Sequence, residues 1–174
     1  PECPKTACPS PEAFKKAYEC SAENIFVVTL SEHLSGTYGS AVLGKQLYEE
    51  EHGTDKNIFV VGSHSASPGQ LNIALFLQEL CEAGVPFDEI VERVMDYRLK
   101  MKTYFVLESL DTLRKNGRLT GLQAFFATAL NIKPVMGADE GVIIKLDQAR
   151  GVNKALNRMC DIALKEAGDT SGKR

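Results

Sequence analysis

Two uninterrupted apolar runs dominate the first half of this chain. Residues 25–30 and 58–61 have the length and the β-branched content of buried strands. After each run, apolar residues recur at helical spacing, which predicts helices over about 36–51 and 71–80. Strands that lack polar alternation and are separated by helices are typical of a parallel sheet covered on both faces. The pattern therefore predicts an α/β fold with a mostly parallel sheet.

The other segments predict a terminal helix and a smaller second lobe. Ser10 before Pro11 fits the N-cap of a helix that continues to about residue 23. Further elements are predicted as a helix at 87–95, a strand at 103–107, a short helix at 109–115, a strongly apolar helix at 120–130, a hairpin of strands 132–136 and 142–144, and a final helix at 152–163. We predict two lobes: an α/β sheet lobe over 1–102 and a helical and hairpin lobe over 103–174.

Small hydroxyl-bearing residues follow both of the buried strands. Ser35 and Thr37 come after the first strand, and Ser63 and Ser67 come after the second. Because ligands of parallel sheets bind beyond the carboxyl ends of the strands, these side chains fall where a ligand is expected. A helix start also presents unpaired N–H groups and the positive end of the helix dipole. The loop at Ser35 therefore predicts a site for an anion, either phosphate or carboxylate; its alternative role is helix capping.

Composition and charge narrow the class of protein. The 174 residues are 44% hydrophobic and 25% charged, which is ordinary for a globular protein. A net charge of −3 argues against nucleic-acid binding, which depends on clustered cations. No apolar run approaches the ~20 residues that span a bilayer, and the first residues carry no apolar signal region, so we expect a cytoplasmic location. Five scattered cysteines argue for reduced thiols.

The motifs of several enzyme classes are missing from the sequence. Ser35 has no GxSxG elbow, and the chain has neither GxxxxGK[ST] nor GxGxxG. The three histidines lack the spacing of metal ligands. We therefore expect no metal and no cofactor. Phe125 and Phe126 lie in the strongly apolar segment, and such residues beside an anion loop suggest a ligand with a charged head and an apolar tail.

Four stretches resemble the DegV family of bacterial fatty-acid-binding proteins. SEHLSGTYGSA at 31–41 is similar to the family signature SSxLSGTYxSA, and KTACPSP at 5–11 is similar to TSQPSP. GSHSASPG at 62–69 resembles DSxxxSxGxG, and 110–118 with 131–134 resembles LxxLxxGGRI…NIKP. The matches keep their order along most of the chain. The chain is thus identified as a member that covers the central part of the family pattern.

The resemblance implies a long-chain fatty acid in a tunnel between two α/β lobes. Its carboxylate would be held by Thr6 and Ser35, and Gly36 and Thr37 would complete the loop around it. The remaining ligand contacts implied on these grounds are Ser63, Ser67, Phe125 and Phe126. Relative to the family pattern, Ala7 and Cys8 replace Ser and Gln, and Gly62 replaces Asp.

The resemblance also implies a partner and a role. Arg118 and Arg150 match arginines near the pocket mouth, where a separate ATP-dependent kinase docks and makes acyl-phosphate. The chain would then be a binding and presenting protein and not an enzyme. Two alternatives stay open: an enzyme that uses Ser35 or Thr37 on an acyl or phosphorylated substrate, and a shortened chain without ligand competence.

Overall fold

The computed structural model describes residues 4–119 and 131–169. The described elements are α1 (Pro11–Tyr18), β1 (Asn24–Thr29), α2 (Thr37–His52), β2 (Asn57–Gly62), α3 (Pro68–Glu82), α4 (Phe87–Lys100), β3 (Thr103–Phe105), α5 (Asp111–Lys115), β4 (Ile132–Asp139), β5 (Val142–Arg150) and α6 (Val152–Ala167). The predicted apolar helix at 120–130, with Phe125 and Phe126, lies outside the described residues.

The described residues form two compact units. The parallel unit comprises Thr6–Met101 together with the turn residues Glu140–Val142. The hairpin unit comprises the described parts of Pro1–Lys5, Lys102–Asp139 and Ile143–Arg174. The predicted lobes, 1–102 and 103–174, stay a prediction.

The parallel unit is built on β1 and β2, which pair in parallel from Asn24↔Asn57 to Thr29↔Gly62. Successive side chains of a strand point to opposite faces of the sheet. One face packs against α3 and α4, and the other face packs against α1 and α2. The strand residues in these clusters are Phe26, Val28, Phe59 and Val61 on the first face and Ile25, Val27 and Ile58 on the second. Both faces are covered, which explains the unbroken apolar runs and confirms the α/β class.

The helix α1 begins as the sequence predicts. Pro11 is its first residue, and the Ser10 hydroxyl accepts a hydrogen bond from the Ala13 N–H at 3.2 Å. The helix ends at Tyr18, short of the predicted residue 23. Residues 19–24 are exposed, so no buried side chain holds a further turn. The buried Tyr18 donates to the Ala41 carbonyl at 3.0 Å, and burial raises its pKa to about 12.

A close contact between backbones joins α1 to α2. A β-carbon added at Gly44 would lie 2.6 Å from Phe14 Cβ and 2.7 Å from the Pro11 carbonyl oxygen. Real β-carbons do not approach other atoms so closely. The glycine therefore permits the approach of α1, and with it the segment that precedes Pro11.

The hairpin unit corrects the expectation of a mostly parallel sheet. β3 pairs antiparallel with β4, from Thr103↔Ala138 to Phe105↔Met136, and β5 lies on the other side of β4. Parallel pairing is thus confined to β1 and β2 in the described part of the chain. The third predicted strand does not extend the parallel pair, because a later strand supplies its partner. Val135 and Met136 of β4 are fully buried.

None of the helices between residues 4–119 and 131–169 has both the length and the apolar character needed to cross a membrane.

Candidate functional site

The loop between β1 and α2 brings Ser35 and Thr37 together. Their hydroxyl oxygens are 2.8 Å apart, and the Thr37 N–H donates to Ser35 Oγ at 3.3 Å. Both side chains are half-buried. Gly36 is the N-cap of α2 and makes no side-chain cap bond, so neither hydroxyl occupies the capping position itself. One hydroxyl proton joins the pair internally, and the second proton is left for an external acceptor.

The start of α2 adds to the attraction for an anion. The intrahelical ladder begins with Ser40 N–H donating to the Gly36 carbonyl at 3.0 Å. The N–H groups of Tyr38 and Gly39 belong to the first turn, where no intrahelical acceptor is available. The first turn also carries no acidic residue that would neutralise the positive end of the helix. The loop therefore combines a hydroxyl pair with backbone donors.

The segment before α1 runs beside this loop. Cys8 Sγ lies 3.7 Å from Ser40 Oγ, and a β-carbon added at Gly36 would lie 3.5 Å from Cys8 Sγ. Thr6, two residues earlier, is exposed. Its contact with a ligand beside Ser35 stays a prediction. Cys8 was not predicted as a site residue. Its position in the TACPSP stretch, two residues after Thr6, was the sequence feature that could have indicated its place beside the loop.

In the β2–α3 loop, one serine side chain forms hydrogen bonds within the loop itself. Ser63 is fully buried; its hydroxyl donates to the Ser65 carbonyl at 2.9 Å and accepts from the Ser65 N–H at 3.1 Å. Ser67 is exposed and adopts φ +45°, a left-handed conformation that is uncommon for residues other than glycine. The predicted ligand contacts of Ser63 and Ser67 stay predictions.

Ser31 joins the two loops, and the prediction of site residues missed it. Its side chain is fully buried, and its N–H donates to the Ser65 carbonyl at 2.9 Å. Its hydroxyl donates to the Gly141 carbonyl at 2.9 Å and accepts from the His33 N–H at 3.3 Å. Its position as the first serine of the signature could have indicated a role. Its hydrogen-bond partner Gly141 could not be foreseen, because it lies 110 positions away in the sequence.

Glu32 brings a carboxylate over Gly62. Its Oε1 lies 3.2 Å from His64 Nε2, and its Oε2 lies 2.7 Å from where a β-carbon of Gly62 would be. The space beside residue 62, where the family pattern has Asp, therefore holds a carboxylate from another position. His64 adopts φ +53°, so this loop contains a second left-handed residue besides Ser67.

The two predicted docking arginines lie in the hairpin unit. Arg118 is half-buried, and its Nη1 donates to the Asn116 carbonyl at 2.8 Å. Arg150 is exposed at the end of β5, beside an open groove of about 420 Å³ that Lys154 and Arg158 also line. Their docking role stays a prediction. Across residues 4–119 and 131–169, no three His, Cys, Asp or Glu side chains are grouped closely enough to hold a metal ion.

Comparison with known proteins gives one consistent family. A family profile described as "Uncharacterised protein, DegV family" matches residues 1–174. A DegV domain-containing protein of Streptococcus pneumoniae is 40% identical over 174 residues, which are 99% of this chain and 60% of that protein. The chain thus spans about three fifths of the length of the curated relatives it matches.

Solved structures are similar over nearly the whole chain. A DegV family protein from Ruminococcus gnavus, whose structure is described with vaccenic acid, has a TM-score of 0.90 and 55% identity, covering 97% of this chain and 61% of that one. The Streptococcus pneumoniae Fatty Acid Kinase (Fak) B3 protein, loaded with linoleic acid, has a TM-score of 0.83 and 39% identity, covering 92% and 57%.

Proposed function

The chain belongs to the DegV family, and from this premise we propose that it binds a long-chain fatty acid with the carboxylate at the start of α2. The observation that carries the proposal is the half-buried Ser35–Thr37 hydroxyl pair, 2.8 Å apart, at a helix start without an acidic residue. One outward hydroxyl proton and the first-turn N–H groups suit a carboxylate. The loop from Ser31 to Ala41 contains no lysine or arginine, which makes a phosphate the weaker candidate.

The related structures support a fatty acid as the ligand. Their descriptions name vaccenic, heptadecanoic and linoleic acid for three proteins that are 34–55% identical to this chain. We propose that Thr6, Gly36, Ser63 and Ser67 surround the head group and that Phe125 and Phe126 contact the acyl chain. In this arrangement the Ser63 hydroxyl, bonded to Ser65, shapes its loop, and the Ser35–Thr37 pair supplies the outward hydroxyl donor.

We further propose that the protein presents its fatty acid to a separate kinase subunit in the cytoplasm and is not itself an enzyme. The Streptococcus pneumoniae relative carries the name of a fatty acid kinase protein, which supports this role. Arg118 and Arg150 are the residues we propose for docking, and Arg150 is the more exposed of the two.

The alternative is an enzyme that uses Ser35 or Thr37 as a nucleophile. Such a hydroxyl needs a general base within hydrogen-bond reach. In the described part of the chain, the Ser35 hydroxyl contacts the hydroxyl and the N–H of Thr37, and neither group is a base. The arrangement therefore favours binding over catalysis.

Titration with vaccenic acid tests the proposal. Loss of one hydroxyl that contacts a carboxylate costs about 1–3 kcal/mol, so Ser35→Ala and Thr37→Val should each weaken binding by about 5- to 150-fold. Thr54→Val is the matched control, because Thr54 is exposed in the turn between α2 and β2. The proposal is wrong if the Ser35 and Thr37 variants bind vaccenic acid as tightly as the Thr54 control.

A further inference from the structure

We propose that Ser31 is a positioning residue that fixes the Ser35 loop by anchoring it to the turn Glu140–Val142. This inference rests on the proposed function, because it concerns the residue that holds the carboxylate-binding loop in place. Ser31 is not among the residues predicted to contact the ligand; it acts through its backbone bonds to Leu34 and Ser35. We name Ser31 and its partners Ser65 and Gly141 the serine junction.

The hydrogen bonds of the serine junction reach three segments of the parallel unit. The Ser31 N–H donates to Ser65 in the β2–α3 loop, and the Ser31 hydroxyl donates to Gly141 in the turn, both at 2.9 Å. The Ser31 carbonyl accepts from the N–H groups of Leu34 at 2.9 Å and Ser35 at 3.1 Å. The position of Ser35 therefore depends directly on where Ser31 is held.

Burial makes these bonds costly to break. Ser31 is fully buried, and Ser65 and Gly141 are also buried. Without the Ser31 hydroxyl, the Gly141 carbonyl loses a donor and the His33 N–H loses an acceptor. A buried polar group that loses its partner is expensive, so the loop is expected to rearrange towards water.

Gly141 fits the serine junction because it has no side chain. It adopts φ +85°, and an added β-carbon would lie 2.6 Å from Ser31 Oγ and 3.0 Å from His64 Cα. The second neighbour is backbone, which cannot rotate away. A side chain at this position would force the Ser31 hydroxyl and the His64 backbone to shift, so the turn is closely fitted to both loops and is more than a connection between β4 and β5.

Three variants of the full chain separate positioning from general stability. Ser31→Ala removes the hydroxyl, and Gly141→Ala adds a methyl group that collides with it. Gly84→Ala is the matched control: Gly84 has φ +68° in the same unit, but an added β-carbon meets nothing within 4 Å. It carries the same backbone strain without touching either loop.

We expect Ser31→Ala and Gly141→Ala to raise the Kd for vaccenic acid by about tenfold or more, whereas Gly84→Ala lowers Tm and leaves Kd unchanged. Amide hydrogen exchange without ligand gives a second readout: the Leu34 and Ser35 N–H groups should exchange faster in both junction variants than in the Gly84 control.

The outcomes distinguish this inference from the proposed function. If the wild-type chain does not bind vaccenic acid, the proposed function fails, and the exchange of Leu34 and Ser35 still decides whether the junction holds the loop. If the wild-type chain binds but Ser31→Ala and Gly141→Ala match Gly84→Ala in Kd and in exchange, the inference is overturned. If one junction variant does not fold, the other decides.

Discussion

The contact between α1 and α2 at Gly44 gives a sharp test of the packing that holds the site segment. In an ordinary helix interior, replacing glycine by alanine stabilises a protein by about 1 kcal/mol. At Gly44 the new methyl group would lie 2.6 Å from Phe14 Cβ and 2.7 Å from the Pro11 carbonyl oxygen. Backbone of α1 must then move, and overpacking of this kind costs about 1–3 kcal/mol.

Gly39 in the same helix is the matched control, because a β-carbon there meets nothing within 4 Å. Gly39→Ala should stabilise the protein by about 0.4–1 kcal/mol through the unfolded chain. Gly44→Ala should be less stable than Gly39→Ala by about 1–3 kcal/mol, because only Gly44→Ala overpacks the contact with α1. Urea unfolding followed by far-ultraviolet circular dichroism measures both. Equal or greater stability of Gly44→Ala would refute the packing argument.

Three further predictions concern pH, the Glu32 carboxylate and Cys8. Burial raises the pKa of Tyr18 to about 12, so the stability from its neutral phenol is complete below pH ~10 and is lost as the pH rises through 12. Tyr18→Phe should lower the free energy of unfolding by about 1 kcal/mol at pH 7. In urea titrations this variant should lose less stability than the wild type between pH 10 and 12, and an equal loss would contradict the argument. Gly62→Asp should lower Tm modestly, because it places a second carboxylate beside that of Glu32, and like charges repel. Adding Glu32→Ser should restore Tm, and a single variant as stable as the double would contradict the repulsion. Vaccenic acid should slow the alkylation of Cys8 by iodoacetamide but not that of Cys81, and mass spectrometry measures both rates. A Cys8 rate that is the same with and without vaccenic acid would count against a ligand beside Cys8.

The local elements of the parallel unit followed from the sequence because their signals are local. Unbroken apolar runs mark strands that are buried on both faces, and Ser10 before Pro11 marks a helix start. The contact between Ser35 and Thr37 is equally local, because the two residues are only two positions apart at the start of a helix.

The contacts that sequence reasoning missed join distant segments. Ser31 bonds to Gly141 across 110 positions, and β3 pairs with β4 and not with the parallel strands. No local pattern at Ser31 distinguishes a serine bound to a distant carbonyl from one on the surface. Similarly, the sequence at Gly62 indicates only that the Asp of the family pattern is missing. The structure shows that the Glu32 carboxylate occupies the space beside Gly62.

Native mass spectrometry of the chain, purified gently from bacterial cells, tests the central claim most directly. We predict a complex of the folded chain with one co-purifying fatty acid, reduced in Ser35→Ala and reduced further when Thr6→Val is added. A folded wild-type chain that carries no fatty acid, and takes up none when incubated with vaccenic acid, would contradict it.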